Sequence, residues 1–429
     1  MSARVVISDL RELASRTSDA NGAQRVAWGP VWRQARQWLD EKLHPLGLRA
    51  ETDDAGNNWI TLEGRSDHTV IIGGHLDSVP SGGWLDGPLG VLAGIEALRR
   101  WQRTRPPVTL AVVDFADEEG ARFSRSLLGS SGASGTLVPD SVRHLADKQG
   151  VRLVDALAEN GVALDRMPLA REALLARKPC AYLELHIEQG PVLESMDKPT
   201  GVVIGTYGVE RHVLRFTGQS AHSGSTPVSM RHDAFLAAAE TALACRDIAR
   251  RLANPDAGPS GGIVCTVGTV MVEPGIVTAV PGVCEISLDQ RALDAEVLAR
   301  ALAEAREAAD VAARANGVAV EWRHVWRIEP RRFDPMLVEL CAEAAMEVTG
   351  HAPRLPSGPL HDAVEMGRLM PAVMMFAYSS RGLSHCKEED TPEPYLEQTI
   401  DAFMRLVEKT VTAVAAQSFE HFQGPSAEG

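Results

Sequence analysis

The chain has 429 residues, 45% of them hydrophobic and 23% charged, and a formal net charge of −14. That length allows two domains, because single cores stop growing at about 250–300 residues. The negative balance argues against nucleic acid, whose phosphates need clustered Lys and Arg, and against docking on an anionic membrane. The N-terminus (MSARVVISDLRELASR) is amphipathic and lacks the uninterrupted apolar segment of a secretory signal. No apolar run approaches the ~20 residues of a bilayer span. Six cysteines (Cys180, Cys245, Cys265, Cys284, Cys341, Cys386) are scattered without a C-x-x-C pair. They read as reduced thiols of a cytoplasmic protein.

Residues 5–48 read as helix, broken near Asn21-Gly22 and stopped at His44-Pro45-Leu46-Gly47. Short, continuous apolar strands follow at Val70–Gly74, Val108–Phe115, Cys180–Leu185 and, much later, Ala372–Ala377, with a helix at Leu89–Trp101. Such strands separated by helices predict an α/β fold with a largely parallel sheet. Between about 211 and 328 the rhythm changes. Arg211–Gln219 alternates like a half-exposed strand, and Asp233–Leu252 reads as a helix. Strands at Ile263–Val272 and Val283–Gln290, an Ala-rich helix from an Asp294 N-cap to Ala315, and a strand at Val318–Trp326 complete the span. The order β-α-β-β-α-β predicts a ferredoxin-like α+β domain. The α/β pattern then resumes with helices at 335–349 and 394–416. The expected organisation is therefore a discontinuous domain, 1–209 and 328–429, interrupted by an inserted domain, 210–327. The polar tail from Gln417 reads as disordered, and no internal repeat is visible.

Polar clusters stand where strands end. Val-Ile-Ile-Gly-Gly runs into His75-Leu76-Asp77, and Val-Val-Asp-Phe-Ala into Asp117-Glu118-Glu119. Tyr-Leu-Glu-Leu runs into His186-Ile187-Glu188-Gln189, and Met-Met-Phe-Ala-Tyr leads through a Ser-Arg-Gly loop to Ser384-His385. Ligands bind outside the carboxyl ends of strands in open α/β sheets, so these clusters would converge. Asp86 joins them from the glycine-rich turn Trp84-Leu85-Asp86-Gly87. A lone strand-end histidine is usually a satisfied core or surface residue, but four such clusters together point to a metal centre. Imidazoles and carboxylates without thiolates suit Zn(II), Mn(II), Co(II) or Ni(II). A carboxylate bridging two ions about 3.5–4 Å apart is the usual two-metal hydrolase design.

The stretches GGHLDSVPSGGWLDGPLGV, DFADEEGARFSRSLLGSSGASG, ELHIEQGPVLE, GQSAHSGSTPVSMRHDA, SGPLHDA and GLSHCKEEDTPE carry a resemblance. The chain resembles the M20 metallopeptidase superfamily, in the amidase branch of N-carbamoyl-L-amino-acid hydrolases, allantoate amidohydrolases and β-ureidopropionases. The branch rests mostly on HIEQGPVLE, which has His186 where the peptidases usually carry a carboxylate. The resemblance implies two divalent metal ions, one held by His75, Asp86 and His186, the other by Asp86, Glu119 and His385. It implies that Asp77 accepts the second ring N–H of His75, although a turn-capping role is the plain alternative. Glu118 is the candidate general base. Adjacent side chains on an extended segment point apart, so Glu119 can ligate while Glu118 faces the attacking water.

The resemblance further implies that the inserted domain serves as lid and dimerisation domain. His222 would reach across a homodimer to stabilise the oxyanion, and Arg291 would clamp the substrate carboxylate. Gln189 and His361 match polar pocket positions. Two departures lie near the substrate rather than the metals: Thr278 where the family usually has Asn, and Pro359-Leu360 within Ser357-Gly-Pro-Leu-His361. The expected activity is hydrolysis of a linear C–N amide in a small acid, an N-carbamoyl amino acid giving amino acid, CO2 and ammonia. N-acyl amino acid hydrolysis is the alternative, and a metal-binding scaffold without catalysis belongs to a different class.

Overall fold

A computed structural model of the chain describes residues 2–254 and 261–416. The expected tail from Gln417 lies outside the described residues. The polypeptide divides into two compact units, Met1–Ile204 with Phe333–Arg354 and Pro359–Gly429, and Gly205–Arg332 with Leu355–Gly358.

In the first unit four parallel strands lie side by side in the order Ala372–Ala377, Pro179–Ile187, Ser66–His75, Val108–Phe115. These contain the four apolar runs seen in the sequence. Val70, Ile71, Ile72 and every residue of Val108–Phe115 are buried, because a parallel sheet is covered on both faces. Thr200–Thr206 and Asn58–Leu62 add antiparallel strands on either side, and Ala50–Thr52 follows Asn58–Leu62. The helices Pro88–Trp101, Pro335–Thr349 and Glu393–Ala415 pack on this sheet.

The N-terminal helical stretch is more divided than its pattern suggests. Helix Ser2–Thr17 ends in a short hairpin, Ser18–Asp19 with Gly22–Ala23, and helix resumes at Pro30–Leu43. The break is where the chain reaches across the unit. Ala23 exchanges backbone hydrogen bonds with Gly82 at 2.8 and 3.2 Å, and Ser78 N–H donates to the Arg25 carbonyl at 3.1 Å. The loop between His75 and Asp86 is thus tied at its middle to the N-terminal segment.

In the second unit Gly208–Thr217 lies between Val283–Ala292 and Ala319–Ile328, all antiparallel. On the far side of Val283–Ala292 lie Ile263–Thr266 and Val270–Glu273. They form a strand interrupted where the N–H groups of Gly268 and Thr269 turn to Ser287 Oγ, at 3.2 and 3.0 Å. Helices Ala234–Leu252 and Ala295–Ala315 begin at Asp233 and Asp294, whose carboxylates cap them. Both helices cover one face. Cys284, Ile286 and Leu288 join Leu214, Phe216, Ala305 and Ala309 beneath them, while the odd residues from Val283 to Arg291 are half-buried on the other face. The unit's main segment runs from 205 to 332, with 355–358 added, against the 210 and 327 read from sequence. Pairing of Val209 with Ile328 extends its sheet beyond the expected limits. Among the described residues no helix is long and apolar enough to cross a membrane.

Candidate metal centre and active site

His75 is the last residue of its strand, His186 the penultimate residue of the neighbouring strand, and Asp117–Glu119 follow Phe115 after the single residue Ala116. Parallel pairing sets Phe376 opposite His186 and His75 opposite Phe115, so all of these side chains emerge at one end of the sheet. Asp86 arrives by the loop after His75. Glu389 receives the N–H groups of Leu85 (3.1 Å) and Asp86 (3.0 Å). Two glycines make that approach possible. A Cβ on Gly83 would lie 2.1 Å from Glu389 Oε1, and one on Gly87 (φ 85°) would lie 2.4 Å from His75 Nδ1.

Asp86 Oδ1 lies 3.2 Å from His186 Nε2 and 3.8 Å from His75 Nε2. Its Oδ2 lies 3.5 Å from His385 Nε2, which is itself 3.3 Å from Glu119 Oε2. One carboxylate therefore presents an oxygen to each of two groups of potential ligands, His75–Asp86–His186 and Asp86–Glu119–His385, either of which could hold a metal ion. Ser384 Oγ and Gln189 Nε2 each donate to Oδ2 at 2.9 Å. Burial pushes the Asp86 carboxyl up, but the hydrogen bond from His186 and the charges of the three histidines hold it well below the usual range. His361, buried in contact with His186 (ring centroids 4.4 Å apart), forms a third grouping with Glu184 and His186. Glu184 Oε2 already accepts from Tyr182 Oη and Ala363 N–H, both at 2.9 Å.

Two readings of the local chemistry need correction. His75 Nδ1 meets the backbone carbonyl of Asp77 at 3.1 Å, while the Asp77 carboxylate is 3.8 Å away. That carboxylate instead accepts the N–H groups of Glu118 and Glu119, each at 3.3 Å. The carbonyl thus orients the histidine ring, and the carboxylate holds the Asp117–Glu119 bend. That segment is bent rather than extended, since Asp117 has φ 60°. The two glutamates diverge nonetheless, with Glu118 Oε2 3.9 Å from His75 Nε2 and Glu119 facing His385. Gln189 (φ 58°) and His385 (φ 58°) share the left-handed conformation, which costs non-glycine residues energy and gathers at functional sites.

The site is rich in buried acid. Burial, then Glu119 and Asp114, push Asp77 up to about 8; burial and then Asp77 do the same for Asp117. Burial, then Asp362 and Glu119, raise Glu118 well above the carboxylate range. Glu119 Oε1 is buried without a hydrogen-bond partner among the described residues. A donor set of imidazoles and carboxylates, with surplus buried negative charge, fits divalent cations.

The remaining candidates lie in the second unit. His222, exposed, sits opposite Ala279 on a two-stranded ribbon, its Nδ1 accepting from Gly224 N–H at 3.1 Å. Thr278, also exposed, uses its carbonyl to accept from Ser223 N–H at 2.9 Å. The Arg291 fork is not free: its Nε donates to Asp289 Oδ1 at 2.8 Å and its Nη1 to the Gly358 carbonyl at 3.1 Å. Asp289 stands two residues before Arg291 on the same face of one strand, whereas Gly358 comes from a distant part of the chain that the local sequence does not announce. In the sequence Glu389 looks like one more acid of the solvated run Lys-Glu-Glu-Asp, and Ser384 stands out only as the neighbour of His385. Their signal was proximity to His385.

A fold that delivers histidines and carboxylates to one sheet end defines a hydrolase acting on C–N bonds once its relatives are considered. The family model of peptidase family M20/M25/M40 matches residues 71–409, and the chain belongs to that family. An N-carbamoyl-L-amino acid amidohydrolase of Geobacillus stearothermophilus is 37% identical over 400 residues, covering 89% of this chain and 91% of its own. An allantoate amidohydrolase of Bacillus subtilis is 30% identical, covering 90% and 92%. Among solved structures, an amidase of the hydantoinase/carbamoylase family from Burkholderia multivorans superposes with a TM-score of 0.85 at 28% identity, covering 95% and 98%. One from Burkholderia phymatum gives 0.83 at 32%, covering 96% and 98%.

Without a cation, His186 holds its proton up to about 9: burial opposes the charge, but the hydrogen bond and charge of Asp86 outweigh it. His385 does so to about 9 through its hydrogen bond with Glu119. Both pKa values are raised, so this pairing stabilises the fold fully below about 6.5 and is lost as pH rises toward 9. A cation must displace those protons. Adding Zn(II) or Mn(II) to chelator-treated protein should therefore raise its melting temperature, and the rise should grow from pH 6 to pH 9. At a hundredfold excess over Kd the stabilisation should be about 2.7 kcal/mol, and His75→Ala should reduce it sharply.

Proposed function

We propose that the protein hydrolyses the ureido C–N bond of an N-carbamoyl amino acid, yielding the amino acid, CO2 and ammonia. The names of the relatives support the reaction class. The observation that carries the catalytic reading is Asp86, whose two oxygens face separate ligand groups. In this reading His75, Asp86 and His186 hold one divalent ion (Zn, Mn, Co or Ni), and Asp86, Glu119 and His385 hold a second. Bound there, the ions would polarise the scissile carbonyl and acidify the attacking water.

Glu118 takes the proton of that water and returns it to the departing nitrogen. Its pKa, raised by burial and by the neighbouring acids, supports this double role, since such a carboxyl takes up a proton more readily than an ordinary carboxylate. Ser384, Gln189 and Glu389 hold Asp86 in place. Gln189, His361, Thr278 and Arg291 bind substrate, Arg291 meeting its carboxylate. The inserted unit, with β-α-β-β-α-β order and strands arranged as in ferredoxin-like domains, serves as lid and dimerisation domain. Its outer strand edge and the loop after it expose Val264, Val270, Met271, Ile276 and Val277, a surface suited to a second copy. In that cytoplasmic homodimer the exposed His222 stabilises the oxyanion in the partner's site.

Ammonia release from N-carbamoyl amino acids, set against acid release from N-acyl amino acids, decides between the ureido reading and the acyl alternative. Glu118→Gln should keep near-normal metal content and lose at least ~10²–10⁴ in rate. Loss of metal instead would reverse the roles of Glu118 and Glu119.

Mixing Glu118→Gln with His222→Ala after subunit exchange should restore activity, since each mixed dimer carries one site with both residues intact. No recovery despite proven exchange would remove His222 from the partner's site.

A further inference from the structure

The open face of the second unit's sheet carries a charge arrangement that the reaction scheme leaves unused. Arg211 and Asp289 are directly opposed on neighbouring strands. Arg211 turns its Nε (2.9 Å) and Nη2 (2.5 Å) onto Asp289 Oδ2. Arg291, two residues along from Asp289, places Nε on Oδ1 at 2.8 Å and Nη2 on Oδ2 at 3.4 Å. Two guanidiniums thus share one carboxylate, leaving one positive charge in excess. The side chains of Arg211, Asp289 and Arg291 are 37, 22 and 31% exposed, so solvent and solutes reach them.

The surroundings do not cancel that charge. Opposite Asp289 and Arg291 on the edge strand are Thr266 and Val264, and opposite Arg211 on the other side is Trp326, whose ring lies 5.4 Å from the guanidinium centre. Along the same face, uncharged Val213 and Ser287 separate the cluster from Arg215 and Glu285, which pair with each other at 3.7 Å. Donors remain. Arg211 Nη1 has no partner among the described residues, and Nη1 and Nη2 of Arg291 each carry a second N–H. A carboxylate fits such paired guanidinium donors better than a lysine-type point charge would allow.

We propose that Arg211 and Arg291, locked side by side by Asp289, form one anion site, with Arg211 a specificity residue for substrates bearing a free carboxylate and Asp289 its positioning residue. This rests on the reading above in which Arg291 meets the substrate acid, and it adds that the acid is read by a guanidinium pair. Asp289 occupies the Nε edge of both forks, so the substrate acid is met by their Nη ends, and a lone Arg291 would discriminate acid from neutral analogue less well.

The test compares an N-carbamoyl amino acid with its carboxamide on the full-length, metal-loaded protein. Arg211→Gln should lower the acid-to-carboxamide ratio of kcat/KM about tenfold, mainly through KM for the acid. Arg211→Lys, which keeps the charge and loses the fork, should fall between. Asp289→Asn should also lower the ratio; simple charge attraction would raise it, and a rise would overturn the positioning role. An unchanged ratio in folded Arg211→Gln, verified by circular dichroism, overturns the proposal. If the wild type turns over N-acyl but no ureido compounds, the ureido reading fails, and the same ratio is measured on the N-acyl acid and its carboxamide.

Discussion

The first unit is organised around a buried carboxylate shared among three imidazoles. Asp86 meets His186 and His75 through one oxygen and His385 through the other. Much nearby structure serves to bring it there: the glycines at 83 and 87 that leave room, the Glu389 carboxylate that fastens the turn, and Ser384 and Gln189, which donate to its second oxygen. The parallel strands supply the other half. They give His75 and His186 fixed heights at one sheet end, while the bend held by Asp77 sends two adjacent glutamates in different directions.

This arrangement sets catalytic potential against stability. Asp77, Asp117, Glu118 and Glu184 are buried close together, and each has its pKa raised, so the bare site favours protons over negative charge. Buried Arg25, holding the Leu76 carbonyl at 2.7 Å, supplies one compensating cation. Burying unpaired charge is among the most expensive things a fold does. The apolar strands beneath, buried on both faces, provide the stability against which that cost is set.

The central strands were legible because continuous apolar runs of strand length have few other uses, and the site histidines because they sit where those runs stop. Asp294 was legible as a helix start for a local reason, its side chain capping the N–H groups two and three residues on. What escaped was non-local. Thr200–Thr206 is interrupted by Gly201 and Gly205 and becomes a strand by pairing with distant segments, Ala372–Ala377 and Arg331–Arg332. The interruption of Ile263–Val272 depends on Ser287, a residue on another strand. The role given to the Asp77 carboxylate fell to its own carbonyl, and the Arg291 fork is met from a distance by the Gly358 carbonyl. Residue type identified the ligands, whereas the groups that hold them were set by tertiary pairing.

The three left-handed residues at the site bear on any effort to make this protein more heat-tolerant. Asp117, Gln189 and His385 each hold a backbone conformation that glycine adopts freely and other residues adopt at a cost of about 1 kcal/mol or more. Selection for thermal endurance alone would therefore favour glycine at these positions, and each gain would remove a group from the centre: a hydrogen bond to Trp28, a donor to Asp86, or an imidazole beside Glu119. Durable variants are better sought in the inserted unit's helices and the outer loops, where rigidity and reactivity do not compete for the same residues.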